Sequence, residues 1–185
     1  MSGSPALKNL SLALGARDMG GTRKMDSVLV SHQTDSWFTP KPLLEMLEKE
    51  FGPFDPDPAL KTKKIDWTTD GLAVDWGKRV FTNPPYSDLE RWCAKAYREF
   101  EKGCLVILLI PSRTDTNAWH SYVMKAQEIR LIKGRIVFEG AKAGAPFPSC
   151  VVIFDPSRKG QSLKVTGMSY KNQKIGIEEE VDLWK

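Results

Sequence analysis

Histidine and cysteine are scarce in this sequence, and their scarcity excludes several kinds of enzyme. The 185 residues include two histidines and three cysteines, and Cys93, Cys104 and Cys150 show no short metal-type spacing. A zinc site or a histidine-based hydrolase is therefore not expected, and we predict that the protein holds no metal. Each cysteine lies among apolar neighbours, which favours buried free thiols and a cytoplasmic location, where thiols stay reduced.

Long apolar runs are also missing. The densest run, Cys104 to Pro111, is far shorter than the roughly 18 residues that a membrane-spanning helix needs. The N-terminal segment lacks the charged start and the cleavage site of a secretion signal. We therefore expect neither a membrane partner nor secretion.

The excess of positive charge is small, and it belongs to the two ends of the chain. The formal net charge is +4; residues 1–30 carry four basic and two acidic groups, and residues 157–185 carry six and four. The stretch between them holds seventeen of each sign. Net charge therefore does not decide whether the protein binds nucleic acid.

The chain has enough apolar residues, 41% of the total, to build one folded domain. Residues 1–33 are rich in glycine, serine and basic residues and predict a flexible N-terminal tail. Residues 34–156 alternate helical and strand-like segments and predict the folded domain. Residues 157–185 form a C-terminal extension for which the sequence predicts no structure.

Strand-like segments in the domain predict a sheet. Arg79 to Thr82 is one strand, and the unbroken apolar run Leu105 to Ile110 is typical of a strand buried on both faces. Ile129 to Phe138 and Cys150 to Phe154 predict two late strands joined by a loop rather than a helix. The pattern indicates an α/β fold whose sheet is mostly parallel, with an antiparallel hairpin at its edge.

Two helices have recognisable ends. Thr39 is a predicted cap for a helix that starts at Pro40. Ser87 and Glu90 form a capping box for a second helix, and Gly103 is expected to end it.

The tetrapeptide Asn83-Pro84-Pro85-Tyr86 directly follows a predicted strand, and ligands of open α/β sheets bind at the carboxyl ends of strands. The side-chain oxygen of Asn83 and the backbone carbonyl of Pro84 can both accept N–H bonds from an exocyclic amine. Tyr86 can stack on the ring that carries the amine. The tetrapeptide therefore predicts a site for a planar ring with an amino group.

The same tetrapeptide is the catalytic motif of amino-methyltransferases that modify adenine in DNA. Over roughly residues 36–156 the chain resembles the compact, phage-encoded adenine-N6 methyltransferases related to Dam. The resemblance rests on an ordered set of motifs: Trp37-Phe38-Thr39-Pro40, Asp55-Pro56-Asp57-Pro58-Ala59, Asp70-Gly71-Leu72, Trp76, Asn83-Pro84-Pro85-Tyr86, residues 109–115, residues 133–138 and Ala145-Pro146-Phe147-Pro148-Ser149.

The resemblance implies a Rossmann-like methyltransferase fold with S-adenosylmethionine as the cofactor. It implies that Phe38-Thr39-Pro40 lines the methionine end of the cofactor and that Asp57-Pro58-Ala59 lies at the end of the first strand. A carboxylate there can hold the cofactor's ammonium group, with Asp57 as first choice and Asp55 as second. A capping acid between strand and loop is the alternative for Asp57.

One segment departs from the pattern of many methyltransferases. Where they have a Gly-x-Gly turn that lets the backbone approach the adenosine, this chain reads Ala59-Leu60-Lys61-Thr62. The sequence therefore leaves the contacts of the adenosine undefined. The resemblance implies that an acid after the second strand binds the ribose, and Asp66, Asp70 and Asp75 are all candidates.

Four further residues are predicted to contact nucleic acid: Ser112 and Arg113, which follow the most apolar strand, and Lys133 and Arg135. A structural turn is the alternative for the first two, and simple solvation is the alternative for the other two.

Taken together, the motifs predict a DNA adenine-N6 methyltransferase that acts on a flipped adenine. Cytosine-N4 methylation uses the same amine chemistry and is the alternative within the enzyme class. A nucleic-acid-binding protein that keeps the fold without catalysis is the alternative outside it. The sequence indicates neither the recognition site nor the oligomeric state.

Overall fold

The computed structural model describes residues 38–59 and 70–170 and the backbone of residues 177–178. The predicted tail, residues 1–33, lies outside the described residues. The elements in chain order are α1 (Lys41–Phe51), β1 (Arg79–Thr82), α2 (Leu89–Glu101), β2 (Leu105–Pro111), α3 (Asn117–Ser121), β3 (Glu128–Ile132), β4 (Ser149–Phe154), β5 (Lys164–Met168) and β6 (Ile177–Glu178).

The strands form one sheet in the order β1-β2-β4-β3-β5-β6. β1 pairs with β2 in parallel, and so does β3 with β5, whereas β4 is antiparallel to both β2 and β3 and β6 is antiparallel to β5. The predicted α/β fold class is confirmed. The sheet is more mixed than expected, because β4 lies inside it rather than in an edge hairpin. β4 pairs with β2 on one side and with β3 on the other, and all six of its residues are buried, as is typical of a central strand.

The ends of the strands lie along two opposite sides of the sheet, which differ from its outer strands and which we also call edges. At the edge that we call the carboxyl edge, β1, β2, β3 and β5 end and β4 begins. At the opposite edge, which we call the amino edge, the same four strands begin and β4 ends. Loops that follow β1, β2 and β3 therefore meet at the carboxyl edge, as in other open α/β sheets.

Helices cover both faces of the sheet. In β2, Val106, Leu108 and Ile110 pack with α2 and α3 on one face, and Ile107 and Leu109 pack with α1 on the other. The prediction that this strand is buried on both faces is confirmed. The three cysteines are free and buried, as predicted. No helix in the described part of the chain is long and apolar enough to cross a membrane.

The predicted caps of α1 and α2 are wrong by one residue each. α1 begins at Lys41 with Pro40 in the cap position, and α2 begins at Leu89 after a short 3-10 turn, Tyr86–Asp88. Neither start has a side-chain capping hydrogen bond, because proline lacks a side-chain acceptor and the 3-10 turn displaces Ser87 from the cap position. The predicted end of α2 is correct, since Gly103 follows it with φ 97°.

β5 lies in the C-terminal extension, for which the sequence predicted no element. It pairs with β3 from Glu128–Lys164 to Ile132–Met168. Its residues mix basic, apolar and glycine positions, so neither apolar alternation nor an apolar run marks it as a strand.

Buried charges at the amino edge are paired with one another. Arg130, only 3% exposed, bonds both carboxylate oxygens of Glu50 at 2.6 Å and one oxygen of Glu128 at 2.7 Å. Arg158 bonds the second oxygen of Glu128 at 2.9 Å. This network joins the end of α1 to the start of β3 and to the segment after β4.

Candidate active site

The tetrapeptide after β1 places an amide and a phenol side by side at the carboxyl edge. Pro84 is buried, and Asn83, Pro85 and Tyr86 are half-buried. The two prolines carry the chain out of the strand and into the 3-10 turn that begins at Tyr86. Across this turn the Tyr86 hydroxyl donates a hydrogen bond to Asn83 Oδ1 at 3.0 Å.

Two phenylalanines hold the Tyr86 ring in place. The Phe147 ring stands almost perpendicular to it, at 76° and 5.5 Å between centroids, and the Phe138 ring lies tilted at 6.5 Å. Burial raises the pKa of Tyr86 well above its ordinary value. The phenol is therefore neutral at physiological pH and acts as a hydrogen-bond donor.

Asp57 lies against the backbone of Asn83. Its carboxylate accepts hydrogen bonds from Ala59 N at 2.8 Å and from Asn83 N at 3.4 Å. Burial raises the pKa of Asp57, and the neighbouring Thr82 hydroxyl and those two backbone N–H groups oppose the rise. The structure thus brings together Asp57, a predicted cofactor residue, and Asn83, a predicted catalytic residue.

Asp55, the second choice for the cofactor, lies at the amino edge instead. It forms a parallel bridge with Val80, and its carboxylate accepts a hydrogen bond from Arg79 N at 3.0 Å. A Cβ on Gly77 would come within 2.1 Å of that carboxylate, so the glycine makes room for it. The structure therefore separates Asp55 from Asp57, and Asp55 has a backbone partner of its own.

A second glycine explains the Asp70-Gly71-Leu72 motif. A Cβ on Gly71 would lie 2.2 Å from the carbonyl oxygen of Pro58, so only glycine allows this close approach. The carbonyl of Gly71 accepts a hydrogen bond from Trp76 Nε1 at 2.7 Å. The motif therefore packs against the Asp57-Pro58-Ala59 segment at Pro58.

The three acids considered for the cofactor's ribose differ in their partners and in whether the structure describes them. Asp70 is exposed, and it accepts a hydrogen bond from Leu72 N at 2.9 Å. Asp75 forms a hydrogen-bonded ion pair with Lys102, close to the amino edge. The hydrogen bond from Lys102 lowers the pKa of Asp75. Asp66 lies outside the described residues.

The Phe38-Thr39-Pro40 segment is attached to the loop between β3 and β4. Glu139 N donates a hydrogen bond to Phe38 O at 3.0 Å, and Glu139 Oε1 accepts one from Lys41 N at 3.2 Å. Thr39 is half-buried and Pro40 is buried, while Phe38 is 48% exposed. Because Phe138 contacts the Tyr86 ring, the same loop links this segment to the tetrapeptide.

The predicted nucleic-acid residues all follow strands that end at the carboxyl edge. Ser112 N donates a hydrogen bond to Pro148 O at 2.9 Å, which joins the loop after β2 to the loop between β3 and β4. The guanidinium carbon of Arg113 lies 5.7 Å from the centre of the Phe147 ring. Lys133 and Arg135 are exposed in the loop after β3.

Comparison with known proteins now assigns the family. The sequence matches the model of the DNA N-6-adenine-methyltransferase (Dam) family over residues 26–179. The chain belongs to this family. The match to the Dam family extends beyond the motif region at both ends and includes β5.

One curated Dam relative is the DNA N-6-adenine-methyltransferase of Escherichia phage T1. It is 31% identical to this chain over 124 residues, which cover 63% of this chain and 48% of the phage protein. The chain thus spans about half the length of the curated relative that it matches.

A solved structure shares a more distant likeness. It is a predicted O-methyltransferase from Agrobacterium tumefaciens, 19% identical, with 71% of this chain and 64% of that chain covered and a TM-score of 0.32. A likeness at this level adds nothing to the Dam assignment.

Sequence reasoning gave no role to the aromatic residues that enclose Tyr86 in this member of the Dam family. Phe138 and Phe147 come from a loop more than 50 positions away in the chain, and only the fold brings them to the tetrapeptide. The available signal was the position of Phe147, between two prolines directly before a buried strand.

Proposed function

We propose that the protein transfers a methyl group from S-adenosylmethionine to the exocyclic amine of adenine in DNA. The observation that supports this best is the pairing of Asn83 with Tyr86 at the carboxyl edge, with Asp57 bonded to the backbone of Asn83. An amine acceptor, an aromatic ring and a half-buried acid then face one region of the sheet. Because this region also carries exposed cations, the substrate we propose is DNA.

The chemistry of Asp57 fits the ammonium group of S-adenosylmethionine. Its carboxylate accepts hydrogen bonds from two backbone N–H groups rather than from a cationic side chain of the described residues, and its pKa is raised. A cation beside it would offset the cost of burying its charge. We assign Asp57 to the ammonium group and the Phe38-Thr39-Pro40 and Pro58-Ala59 segments to the walls of the cofactor site. When bound, S-adenosylmethionine supplies a methyl group activated by a positive sulfur.

The chemical role of the tetrapeptide is to make a poor nucleophile reactive. The lone pair of adenine N6 is delocalised into the ring. Asn83 Oδ1 and the carbonyl of Pro84 accept the two N–H bonds of the amine, which favours tetrahedral nitrogen and exposes the lone pair. The nitrogen would bond to the methyl carbon as the methyl–sulfur bond breaks and a neutral thioether leaves. The nitrogen would then lose one proton to solvent, so no strong base is needed.

Adenine inside a duplex has to leave the base stack before its amine can reach Asn83. Flipping costs a few kcal/mol, and stacking on the Tyr86 ring, worth about 1–3 kcal/mol, offsets part of it. Contacts from Ser112, Arg113, Lys133 and Arg135 to phosphates would hold the duplex at the carboxyl edge. We place this reaction in the cytoplasm of the cell that holds the DNA.

The test is the identity of the methylated base. Unmethylated DNA is incubated with the protein and isotope-labelled S-adenosylmethionine, digested to nucleosides and analysed by mass spectrometry. We expect label in N6-methyldeoxyadenosine. Label in N4-methyldeoxycytidine instead would favour the cytosine alternative, and DNA binding without any label would favour the silent binding protein. Either result would contradict the proposal.

A further inference from the structure

We propose that the Tyr86 hydroxyl has a role separate from that of the Tyr86 ring: it holds the Asn83 side-chain amide in the orientation that presents Oδ1 to the substrate amine. The inference rests on the proposed function, because it concerns how the same site accepts an amine. It makes the hydroxyl a positioning group that acts through Asn83.

An asparagine in this role has an orientation problem. Its side chain ends in one acceptor oxygen and one NH2 donor, which are nearly equal in size, so packing alone does not distinguish the two orientations. The substrate amine offers only N–H donors to its acceptors. An amide turned by 180° would face it with N–H groups and repel it, and catalysis would be lost without any change in shape.

The structure holds Asn83 at two points. Its backbone N–H donates to Asp57, and its side-chain oxygen accepts from the Tyr86 hydroxyl at 3.0 Å. The hydroxyl is itself fixed, because Phe147 and Phe138 contact the ring that carries it. The oxygen of Asn83 therefore faces the side where the Tyr86 ring lies, which is the side from which a base stacked on that ring would present its amine.

This contact is compatible with substrate binding. A carbonyl oxygen has two lone pairs, so one can accept from Tyr86 while the other accepts from the amine. No hydrogen bond has to break when the base enters. The phenol also stays protonated, since burial raises the pKa of Tyr86. Tyr86 thus gives the site two separable properties, which are a ring for stacking and a hydroxyl for orientation.

Tyr86→Phe separates these properties, because it removes the hydroxyl and keeps the ring. Loss of one neutral hydrogen bond predicts a kcat about three- to tenfold lower, with KM for DNA unchanged. The decisive comparison repeats the substitution in the Asn83→Asp background. A carboxylate has two equivalent oxygens and needs no orientation, so there Tyr86→Phe should change kcat less than twofold. An equal loss in both backgrounds, or no loss in either, would overturn the inference.

A second measurement does not depend on activity. The chain has four asparagines, Asn9, Asn83, Asn117 and Asn172, so selective 15N labelling gives few side-chain amide signals, and Asn83→Asp identifies the one from Asn83. Phenylalanine preserves the ring at position 86, so a change of the Asn83 signal in Tyr86→Phe reports the hydroxyl contact. We expect that signal to shift and broaden while the Asn117 signal stays in place. An unchanged Asn83 signal would refute the orienting contact.

The two proposals fail in different ways. If the wild-type protein produces no N6-methyldeoxyadenosine, the proposed function is wrong, whatever the amide signal shows. If the wild-type protein methylates adenine and Tyr86→Phe matches it in kcat and in the Asn83 signal, only the orienting role is wrong.

Discussion

The two edges of the sheet bury acidic side chains in opposite ways. At the amino edge, burial alone would raise the pKa of Glu128, but hydrogen bonds and charge from Arg130 and Arg158 outweigh it and lower the pKa. Glu99 behaves in the same way with Lys95 and Lys102. At the carboxyl edge, Asp57 is half-buried and has neutral partners, and its pKa is raised.

The difference supports our proposal that the amino edge stabilises the fold and that the carboxyl edge binds the ligand. The charge of a buried carboxylate that is paired with a cation of the protein is already compensated, so it needs no ligand. At the amino edge such pairs also join elements that are distant in the chain. A buried carboxylate with only neutral partners carries a desolvation cost that a bound cation would offset. The amino edge is therefore structural, and the carboxyl edge is where we place the cofactor's ammonium group and the chemistry.

The largest expected effect is on stability, at the amino edge. Arg130→Met leaves Glu128 buried without its nearest cation, and breaking such a pair costs about 3–5 kcal/mol. Urea unfolding followed by circular dichroism measures the loss. Arg113→Met, an exposed arginine of the carboxyl edge, is the control and should lose much less. A loss below about 1 kcal/mol for Arg130→Met would remove the structural role of this network.

The next effect is on catalysis, at the carboxyl edge. Asn83→Ala removes the side-chain acceptor for the amine, and we expect kcat to fall on the order of a hundred- to a thousandfold. Affinity for S-adenosylmethionine, measured by calorimetry, should change little. Activity close to that of the wild type would contradict the role of Asn83.

The two edges should also differ in the sign of their pH dependence. Glu128, with its lowered pKa, stabilises the folded state above its ordinary value of 4.5, and this contribution is lost as the pH falls through its folded pKa. Asp57, with its raised pKa, favours folding while it is protonated, and it costs stability as the pH rises above its ordinary value of 3.8.

Urea unfolding between about pH 3 and pH 7 tests these signs. With rising pH the wild type should gain stability relative to Glu128→Gln and lose stability relative to Asp57→Asn. The same direction for both variants would show that the two acids are not in opposite environments.

The smallest effect is expected from Arg113, the cation beside the Phe147 ring. Arg113 lies over the Phe147 ring, with its guanidinium carbon 5.7 Å from the ring centre. Arg113→Met should weaken DNA binding about two- to fivefold, because one exposed contact to a phosphate is worth on the order of 0.5–1 kcal/mol. It should also reduce the salt dependence of binding if Arg113 contacts a phosphate. Fluorescence anisotropy at several salt concentrations measures both, and an unchanged salt slope would exclude the phosphate contact.

The features that could be predicted from the sequence are those that residues close together in the chain determine. Arg79–Thr82 was predicted with its observed bounds, and the amide and ring that follow it do lie at the carboxyl edge. The end of α2 was predicted because Gly103 supplies a positive φ. These features depend on residues a few positions apart, so local patterns contain them.

The remaining features depend on contacts between distant residues. The position of β4 inside the sheet, the aromatic wall of Tyr86 and the pairing of Glu50 with Arg130, 80 positions apart, have no local signal. Asp55 and Asp57 illustrate the same limit. They are two residues apart and similar in sequence context. They lie towards opposite edges of the sheet because the segment that contains them runs parallel to β1.

These two acids give the most direct test of the account. Calorimetry should compare S-adenosylmethionine binding by the wild type, Asp57→Asn and Asp55→Asn, with folding of each confirmed by circular dichroism. Loss of a charged hydrogen bond predicts affinity about ten- to a hundredfold lower for Asp57→Asn, and we expect Asp55→Asn to stay within twofold of the wild type. Wild-type affinity in Asp57→Asn, or a larger loss in Asp55→Asn, would contradict the assignment of the carboxyl edge to the cofactor.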